Sequence, residues 1–267
     1  MSIKKNFEHI EVSIRKQSIR ELTGKEGKKI GINEDIAIIS INRPNKLNAI
    51  SLLTMKEINS ALNSLEQNKA IKCVIIRGTK DYTKKPSFST GADLSSPFES
   101  NIKPNLASHM VYSIKQLHKY FDLINSFPKP LLAAIDGYAL GGGCELSLVC
   151  DIVIASERSV LGFSEINRGI FPAGGGTQRM IQSIGLNRTI KMLFFGKKYS
   201  AEKLYKWGYI NFLVSNEEFE NFIIKKAQQL AHRPMLELIL AKKSMKLGIQ
   251  VPNHIGKQIK NLGFGLL

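Results

Sequence analysis

The chain has 267 residues, of which 43% are hydrophobic and 22% are charged, and this composition is typical of a globular protein with a buried core. Its most apolar region, residues 131–155, is interrupted by Asp136, Glu145 and Asp151, which excludes a plain membrane span. The net charge of +16 suits a nucleic acid, an acidic lipid or a polyanionic small molecule, and equally a solvated lysine-rich surface.

The N-terminal residues and the cysteines bear on the compartment. The first thirty residues are polar and charged without a long apolar run, so no secretory signal is expected. Cys73, Cys144 and Cys150 lie in apolar surroundings with no CxxC spacing, which predicts buried thiols in a reducing environment. We therefore expect a cytoplasmic protein.

The first half of the chain predicts strands that alternate with helices. A strand over residues 10–14 is followed by an exposed loop, and the alternation in DIAIISINRP predicts a second strand. SLLTMKEINSALNSLEQ has apolar residues at helical spacing, with Ser51 as its N-cap. IKCVIIRG predicts a strand buried on both faces. A turn-rich loop that carries Gly91 and Asp93 then leads to a helix over residues 107–126.

The second half begins in the same way and then changes character. KPLLAAIDGYA predicts one strand, and a helix carrying Glu145 and the short strand DIVIAS follow it. From about Ser200, AEKLYKWG, EEFENFIIKKAQQLAHR and MLELILAKKSMKLG all have helical patterns. The sequence thus predicts an α/β core with mainly parallel strands over residues 1–198 and a helical region over residues 199–267.

Three consecutive glycines, 141–143, open the helix that carries Glu145. Backbone N–H groups at a helix start lack partners and favour negative charge. The spacing matches neither GxGxxG nor GxxxxGK[ST], and the alternative is a tight turn without a ligand. A second glutamate, Glu165, also lies among apolar residues and glycines. Either glutamate alone is typical of a surface or a cap, but together they form a hypothetical acid/base pair around one substrate.

Other kinds of site find less support in the sequence. The histidines form no HExxH motif or closely spaced pair, so no metal is expected. No GxSxG elbow is present. RNA-binding protein stays a minor alternative because of the charge, although the sequence contains no RNA-binding module and we expect no nucleic-acid partner.

Four segments carry a resemblance to a known family. FSTGADLSS, KPLLAAIDGYALGGGCELSLVCDIVIAS and LGFSEINRGIFPAGGGTQRM resemble the crotonase, or enoyl-CoA hydratase/isomerase, superfamily, and INRPNKLNAIS resembles its N-terminal signature. The resemblance covers residues 36–251. It implies a crotonase-like spiral of ββα units with a C-terminal helical oligomerisation region, assembled as a homotrimer or hexamer. It also implies an acyl-CoA substrate, with no cofactor beyond the coenzyme A of that substrate, no metal and no membrane partner.

The resemblance also implies roles for individual residues. The backbone N–H groups of Ala92 and Gly142 would hold the enolate oxygen of the thioester. Glu145 would help to activate the water that reaches the β carbon, and Glu165 would handle the proton at the α carbon. The alternative for Lys46 is an ordinary surface lysine. The positions that match the family's coenzyme A contacts are Lys46, Leu47, Ala49, Gly91, Ala92, Asp93, Leu94 and Gly142.

Both glutamates are present, which favours an enoyl-CoA hydratase or, in the reverse direction, a 3-hydroxyacyl-CoA dehydratase. The alternatives within the family are a double-bond isomerase, a hydrolase and a decarboxylase. Thr90 and Ser164 depart from the family pattern without removing a catalytic group. Most relatives continue beyond NLGFGLL with a further helix, which leaves the acyl-chain specificity open.

Overall fold

The computed structural model describes residues 7–249 except 17–19, 24–28, 33, 83–84, 94 and 96–105. Strands and helices alternate through this part of the chain. The strands are β1 (Ile10–Arg15), β2 (Arg20–Thr23), β3 (Lys29–Ile32), β4 (Asp35–Ile41), β5 (Ile71–Gly78), β6 (Ser87–Ser89), β7 (Leu131–Ile135), β8 (Tyr138–Leu140), β9 (Ile152–Ser156), β10 (Val160–Gly162), β11 (Lys198–Ser200) and β12 (Phe212–Val214). The helices are α1 (Leu52–Gln67), α2 (Leu106–Asn125), α3 (Gly142–Leu148), α4 (Gly176–Ile184), α5 (Leu186–Phe194), α6 (Ala201–Lys206), α7 (Phe219–Ala231) and α8 (Met235–Gly248), with 3₁₀ turns at Pro44–Lys46 and Glu165–Arg168.

Two mainly parallel sheets form the framework. The larger has the order β1-β4-β5-β7-β9-β12, in which only β1 is antiparallel to its neighbour. The smaller has the order β11-β10-β8-β6, with β6, β8 and β10 parallel. Consecutive strands form three pairs, β5/β6, β7/β8 and β9/β10. In each pair the first strand lies in the larger sheet and the second in the smaller sheet, and a helix follows. The fold is therefore a spiral of ββα units, as the resemblance implied.

The inner strands of the six-stranded sheet, β4, β5, β7 and β9, are buried because they are mostly apolar, whereas residues of the edge strand β1 alternate between the core and solvent. Val74 and Ile76 of β5 join the core under α1, whereas Cys73 and Ile75 pack on the side of α7. Helix α1 begins as predicted at the Ser51 cap, whose side chain accepts a hydrogen bond from the Thr54 N–H at 3.1 Å. The prediction of mainly parallel, buried strands is confirmed.

Two predicted segments are wrong in detail. The loop predicted after β1 contains the antiparallel hairpin of β2 and β3. The single strand predicted for KPLLAAIDGYA is two strands in different sheets, because the chain turns sharply at Gly137, where φ is +81°. A methyl group on Gly137 would lie 1.8 Å from the Pro86 carbonyl oxygen, so only glycine fits this turn.

The C-terminal third contains the predicted helices α6, α7 and α8. It also contributes β12, which pairs with β9 at the edge of the six-stranded sheet. The domain boundary at residue 198 stays a prediction. Within the described ranges, no helix is both long and apolar enough to cross a membrane. Cys73 and Cys144 are buried and Cys150 is partly buried.

Candidate active site

The candidate site lies where the parallel strands of the smaller sheet end. Because β6, β8 and β10 run side by side in the same direction, the residues after them meet at one edge. Ala92 follows β6, Gly142 follows β8 and Glu165 follows β10. The fold therefore brings together three segments that are more than twenty residues apart in the chain.

The backbone nitrogens of Ala92 and Gly142 lie close to each other. A methyl group on Gly142 would lie 3.6 Å from Ala92 N, and one on Gly91 would lie 3.2 Å from Gly142 N. In the bridge to Ile50, the Ile50 N–H donates to Gly91 O at 2.7 Å and the Asp93 N–H donates to Ile50 O at 2.8 Å. The N–H of Ala92 therefore points away from Ile50. Among the described residues, neither Ala92 N–H nor Gly142 N–H finds a backbone acceptor outside its own element, so both can donate to a ligand.

Glycines are required for this close approach. A methyl group on Gly143 would lie 2.3 Å from the Ser89 carbonyl oxygen, so α3 begins in direct backbone contact with β6. Gly91 has φ of +97°, and a methyl group there would lie 2.8 Å from the Leu140 carbonyl oxygen. A side chain at either position would push the two N–H groups apart.

Glu145 lies on the first turn of α3 and is only 3% exposed. Its Oε1 accepts hydrogen bonds from the N–H groups of Gly174 at 2.7 Å and Gly176 at 2.8 Å. Burial raises the pKa of Glu145 to about 7, and the charge of Glu165 adds to this rise. The two hydrogen bonds and the charge of Arg179 act in the opposite direction. A carboxyl with a pKa near neutrality can both accept and release a proton.

Glu165 opens the 3₁₀ turn after β10 and lies against the glycine turn. A methyl group on Gly141 would lie 3.0 Å from Glu165 Oε1. Its Oε2 is buried and finds no hydrogen-bond partner among the described residues. Burial raises the pKa of Glu165 above its ordinary value. The structure thus places the Glu165 carboxylate beside Gly141 and the Glu145 carboxylate beside the turn of residues 174–176, close enough for the charge of Glu165 to raise the pKa of Glu145.

The predicted coenzyme A contacts Lys46, Leu47 and Ala49 lie on a loop that docks against the strand end before Ala92. Leu47 has a left-handed backbone with φ of 50°, and its carbonyl oxygen accepts from Thr90 N at 3.2 Å. The Ala49 N–H donates to Lys46 O at 3.0 Å, which closes the turn. These three residues are therefore close to the backbone N–H groups of Ala92 and Gly142, which we call the N–H pair.

Asp93 is a buried carboxylate that braces this loop. Its Oδ2 accepts from Arg43 Nη2 at 2.7 Å and from Lys46 Nζ at 3.1 Å. Burial alone would raise the pKa of Asp93, but hydrogen bonds from Ser95, Arg43 and Lys46 outweigh it and hold the pKa below its ordinary range. A direct contact of Asp93 with a ligand stays a prediction. Leu94 lies outside the described residues.

The turn that holds Glu145 could not be predicted from the sequence. Gly174 and Gly176 belong to the segment AGGGTQR, which does not match the phosphate-binding pattern GxxxxGK[ST]. Their contact with Glu145 spans 29 and 31 residues. A second glycine triplet was the only available signal, and it does not identify its partner.

A cavity of about 810 Å³ lies elsewhere, between α2, α4 and α8. It reaches Gly174 and Arg179, but none of Ala92, Gly142, Glu145 or Glu165 lines it. We place the candidate site by its chemistry, because the N–H pair and the perturbed carboxyls converge away from this cavity. In the part of the chain that the structure describes, no group of three or more potential ligands could hold a metal ion.

Comparison with known proteins yields consistent relatives. The model of the family described as enoyl-CoA hydratase/isomerase matches residues 31–261. A probable mitochondrial enoyl-CoA hydratase from Dictyostelium discoideum is 33% identical over 88% of this chain and 78% of its own length. A crotonyl-CoA hydratase from Syntrophomonas wolfei is 32% identical over 87% of this chain and 86% of its own. The crystal structure of an enoyl-CoA hydratase from Bacillus anthracis superposes with a TM-score of 0.79 at 30% identity, covering 93% of this chain and 90% of that one.

Proposed function

The chain belongs to the enoyl-CoA hydratase/isomerase family, and on that premise we propose that this acyl-CoA enzyme adds water across the 2,3 double bond of an enoyl-CoA thioester or removes it in reverse. The observation that carries the proposal is a pair of interacting glutamates, with Glu145 on the first turn of the helix that Gly142 opens and Glu165 against Gly141. The relatives named as hydratases point in the same direction.

The proposed mechanism assigns charge stabilisation to the backbone. The N–H groups of Ala92 and Gly142 donate to the thioester oxygen, on which negative charge develops as the enolate forms. Such donors are fixed by the fold and need no reorganisation during the reaction. Loss of one preorganised donor of this kind costs about 2.7–4 kcal/mol of barrier in a protease example.

The proposed proton transfers use the two carboxyl groups in complementary states. Glu145 accepts a proton from water as the oxygen bonds to the β carbon, while protonated Glu165 delivers a proton to the α carbon. The proton on Glu145 then returns to Glu165 before the next turnover, so the enzyme is regenerated. The pKa values support this scheme, because that of Glu145 is about 7, so both of its forms are accessible near neutral pH, and burial raises that of Glu165 above its ordinary value.

The rest of the proposal concerns the ligand and the setting. The coenzyme A handle would run along the loop with Lys46, Leu47 and Ala49, and its phosphates suit the basic chain. The reaction uses no cofactor beyond the coenzyme A of the substrate. A homotrimer or hexamer and a cytoplasmic location stay predictions, and some relatives are named as mitochondrial.

The test is direct. The wild-type protein is incubated with crotonyl-CoA, and loss of the conjugated thioester absorbance is followed. Glu145→Gln and Glu165→Gln should each fold and lose about 10²–10⁴-fold in kcat, as expected for one member of an acid/base pair. Glu202→Gln is the matched control, because Glu202 is an exposed glutamate on α6 that pairs with Lys206.

Wild-type rates in both site variants would overturn the assignment of the glutamates. If only Glu165→Gln were impaired, and the wild-type enzyme moved a double bond instead of adding water, an isomerase would replace the hydratase. No turnover of any enoyl-CoA by the wild-type protein would remove the proposed reaction altogether.

A further inference from the structure

Arg179, in the first half of α4, folds back over the turn that precedes its own helix. Its Nη1 donates to the carbonyl oxygen of Gly174 at 2.6 Å, and its Nη2 donates to Asp122 Oδ1 of α2 at 2.9 Å. The guanidinium lies directly over Gly175, where φ is +94° and a methyl group would lie 2.0 Å from Nη1. Glycine at position 175 is therefore what allows this approach.

The same turn faces Glu145 on its other side. Gly174 donates its N–H to Glu145 Oε1, while its carbonyl oxygen accepts from Arg179. Gly176, two residues on, donates to the same carboxylate oxygen. The orientation of Glu145 thus depends on a turn whose far side is held by an arginine.

Electrostatics connects the same groups. Two charged side chains influence Glu145 from the elements packed around it: Glu165 from the 3₁₀ turn and Arg179 from α4. They act in opposite directions, since Glu165 raises the pKa of Glu145 and Arg179 lowers it. The side chain of Asp122 is 71% exposed, so solvent screens its ion pair and Asp122 is the weaker part of the arrangement.

We propose that Arg179 is a positioning residue for Glu145, which it holds in one orientation by fixing the turn of residues 174–176. The inference rests on the proposed function, in which Glu145 activates water. Arg179 lies behind Gly174 and acts through it rather than on the substrate. The charge of Arg179 lowers the pKa of Glu145 whether or not Arg179 fixes the turn, so a positioning role is shown by a loss of kcat that remains at a pH where Glu145 is fully ionised.

The test compares Arg179→Gln and Arg179→Lys with Arg188→Gln. Arg188 is a matched control, because it lies on α5 and donates to a backbone carbonyl, that of Trp207, at 2.9 Å. Arg179→Gln should lose about 10- to 100-fold in kcat with little change in KM, because a displacement of a catalytic group by about 1 Å can cost about 100-fold in rate. The limb of the pH–rate profile that reports the ionisation of Glu145 should move to higher pH, because loss of the positive charge of Arg179 raises the pKa of Glu145. Arg179→Lys keeps the charge, so it should restore the limb and part of the rate.

A second measurement is independent of turnover. The carboxyl ¹³C resonance of Glu145, identified by its loss in Glu145→Gln, is titrated in the wild type, Arg179→Gln and Arg188→Gln. A higher Glu145 pKa in Arg179→Gln follows from the lost charge, whereas a resonance of the fully ionised Glu145 carboxyl that is displaced in Arg179→Gln and not in Arg188→Gln supports the inference, even if the hydratase reaction itself proves wrong. An unchanged Glu145 titration in a folded Arg179→Gln protein overturns it, as does a lowered melting temperature with an unshifted pH profile.

Discussion

At the scale of the residue, Glu145 combines burial with an ordinary acidic side chain. A buried carboxylate is costly unless hydrogen bonds satisfy it, and here two backbone N–H groups do so at one oxygen only. Burial still dominates, because the pKa of Glu145 rises to about 7 rather than falling. The folded protein therefore prefers the protonated form at acidic pH, and ionisation near neutrality opposes folding.

This argument makes a prediction about stability. The folded pKa of Glu145 is raised above its ordinary value of 4.5, so its contribution to stability is fully present below pH 4.5 and is lost as the pH rises through about 7. The loss amounts to about 3 kcal/mol in order of magnitude. Glu145→Gln keeps an oxygen that accepts both N–H bonds but has no charge. It should unfold at higher urea concentration than the wild type at pH 8, and the advantage should shrink at pH 5.

Urea unfolding of both proteins at the two pH values checks this, with Glu202→Gln as the exposed control. A pH-independent difference between Glu145→Gln and the wild type would contradict the prediction. A variant less stable than the wild type at pH 8 would show that the carboxylate is satisfied in the folded protein.

At the scale of the element, the start of α3 determines whether the N–H pair exists. Gly142 occupies the first helical position, where proline is accepted in helices because its ring angle fits and no N–H is needed there. Gly142→Pro should therefore keep the helix while removing one donor. We expect kcat to fall by about 10²–10³-fold, the loss seen for one such donor in a protease.

Gly142→Ala is the matched variant, since it keeps the N–H and its methyl group would meet no atom closer than 3.6 Å. It should lose less turnover than Gly142→Pro, with both proteins folded by circular dichroism. Equal rates for the two variants would rule out the Gly142 N–H as a donor to the thioester oxygen.

Elements with strong local patterns could be predicted from the sequence. The apolar spacing and the Ser51 cap of α1, and the nearly all-apolar sequence of β5, are local properties, and both elements are confirmed. The split of β7 from β8 could not be predicted, because it depends on the contact between Gly137 and Pro86, 51 residues earlier. The alternation of strand and helix patterns along the sequence does not reveal a contact between residues so far apart.

The same distinction applies to the site. Glu145 and Glu165 can be identified in the sequence because each interrupts an apolar stretch near glycines, and the fold brings their carboxyl groups close enough to interact. Arg179 and the N–H groups that hold Glu145 were missed, since their hydrogen bonds join residues from 29 to 57 positions apart or run through backbone atoms. Sequence patterns report side-chain type, whereas these contacts depend on backbone geometry.

At the scale of the whole molecule, two helices expose apolar residues that a soluble monomer would bury. Leu186, Ile190 and Phe194 of α5 recur at every fourth position and are exposed, although Thr189 and Met192 already form the buried face of that helix. Helix α8 has no buried residue at all. Apolar residues on both faces of a helix indicate a second partner.

The family resemblance implies a homotrimer or a multiple of three, and we predict that α8 and the exposed face of α5 contribute to its contacts. Phe194 is 71% exposed. It lies two residues before Gly196, whose carbonyl oxygen accepts a hydrogen bond from Asn167 Nδ2 at 3.2 Å, so it is close to the 3₁₀ turn that Glu165 opens. Light scattering at micromolar concentration should give about three times 29.8 kDa, or six times for a hexamer. Phe194→Asp should shift the mass toward the monomer, because a charge in an apolar contact is expensive to bury. Tyr112→Asp, on the exposed surface of α2, serves as control. A monomeric or dimeric wild type would refute the assembly, and an unchanged mass for Phe194→Asp would remove α5 from the interface.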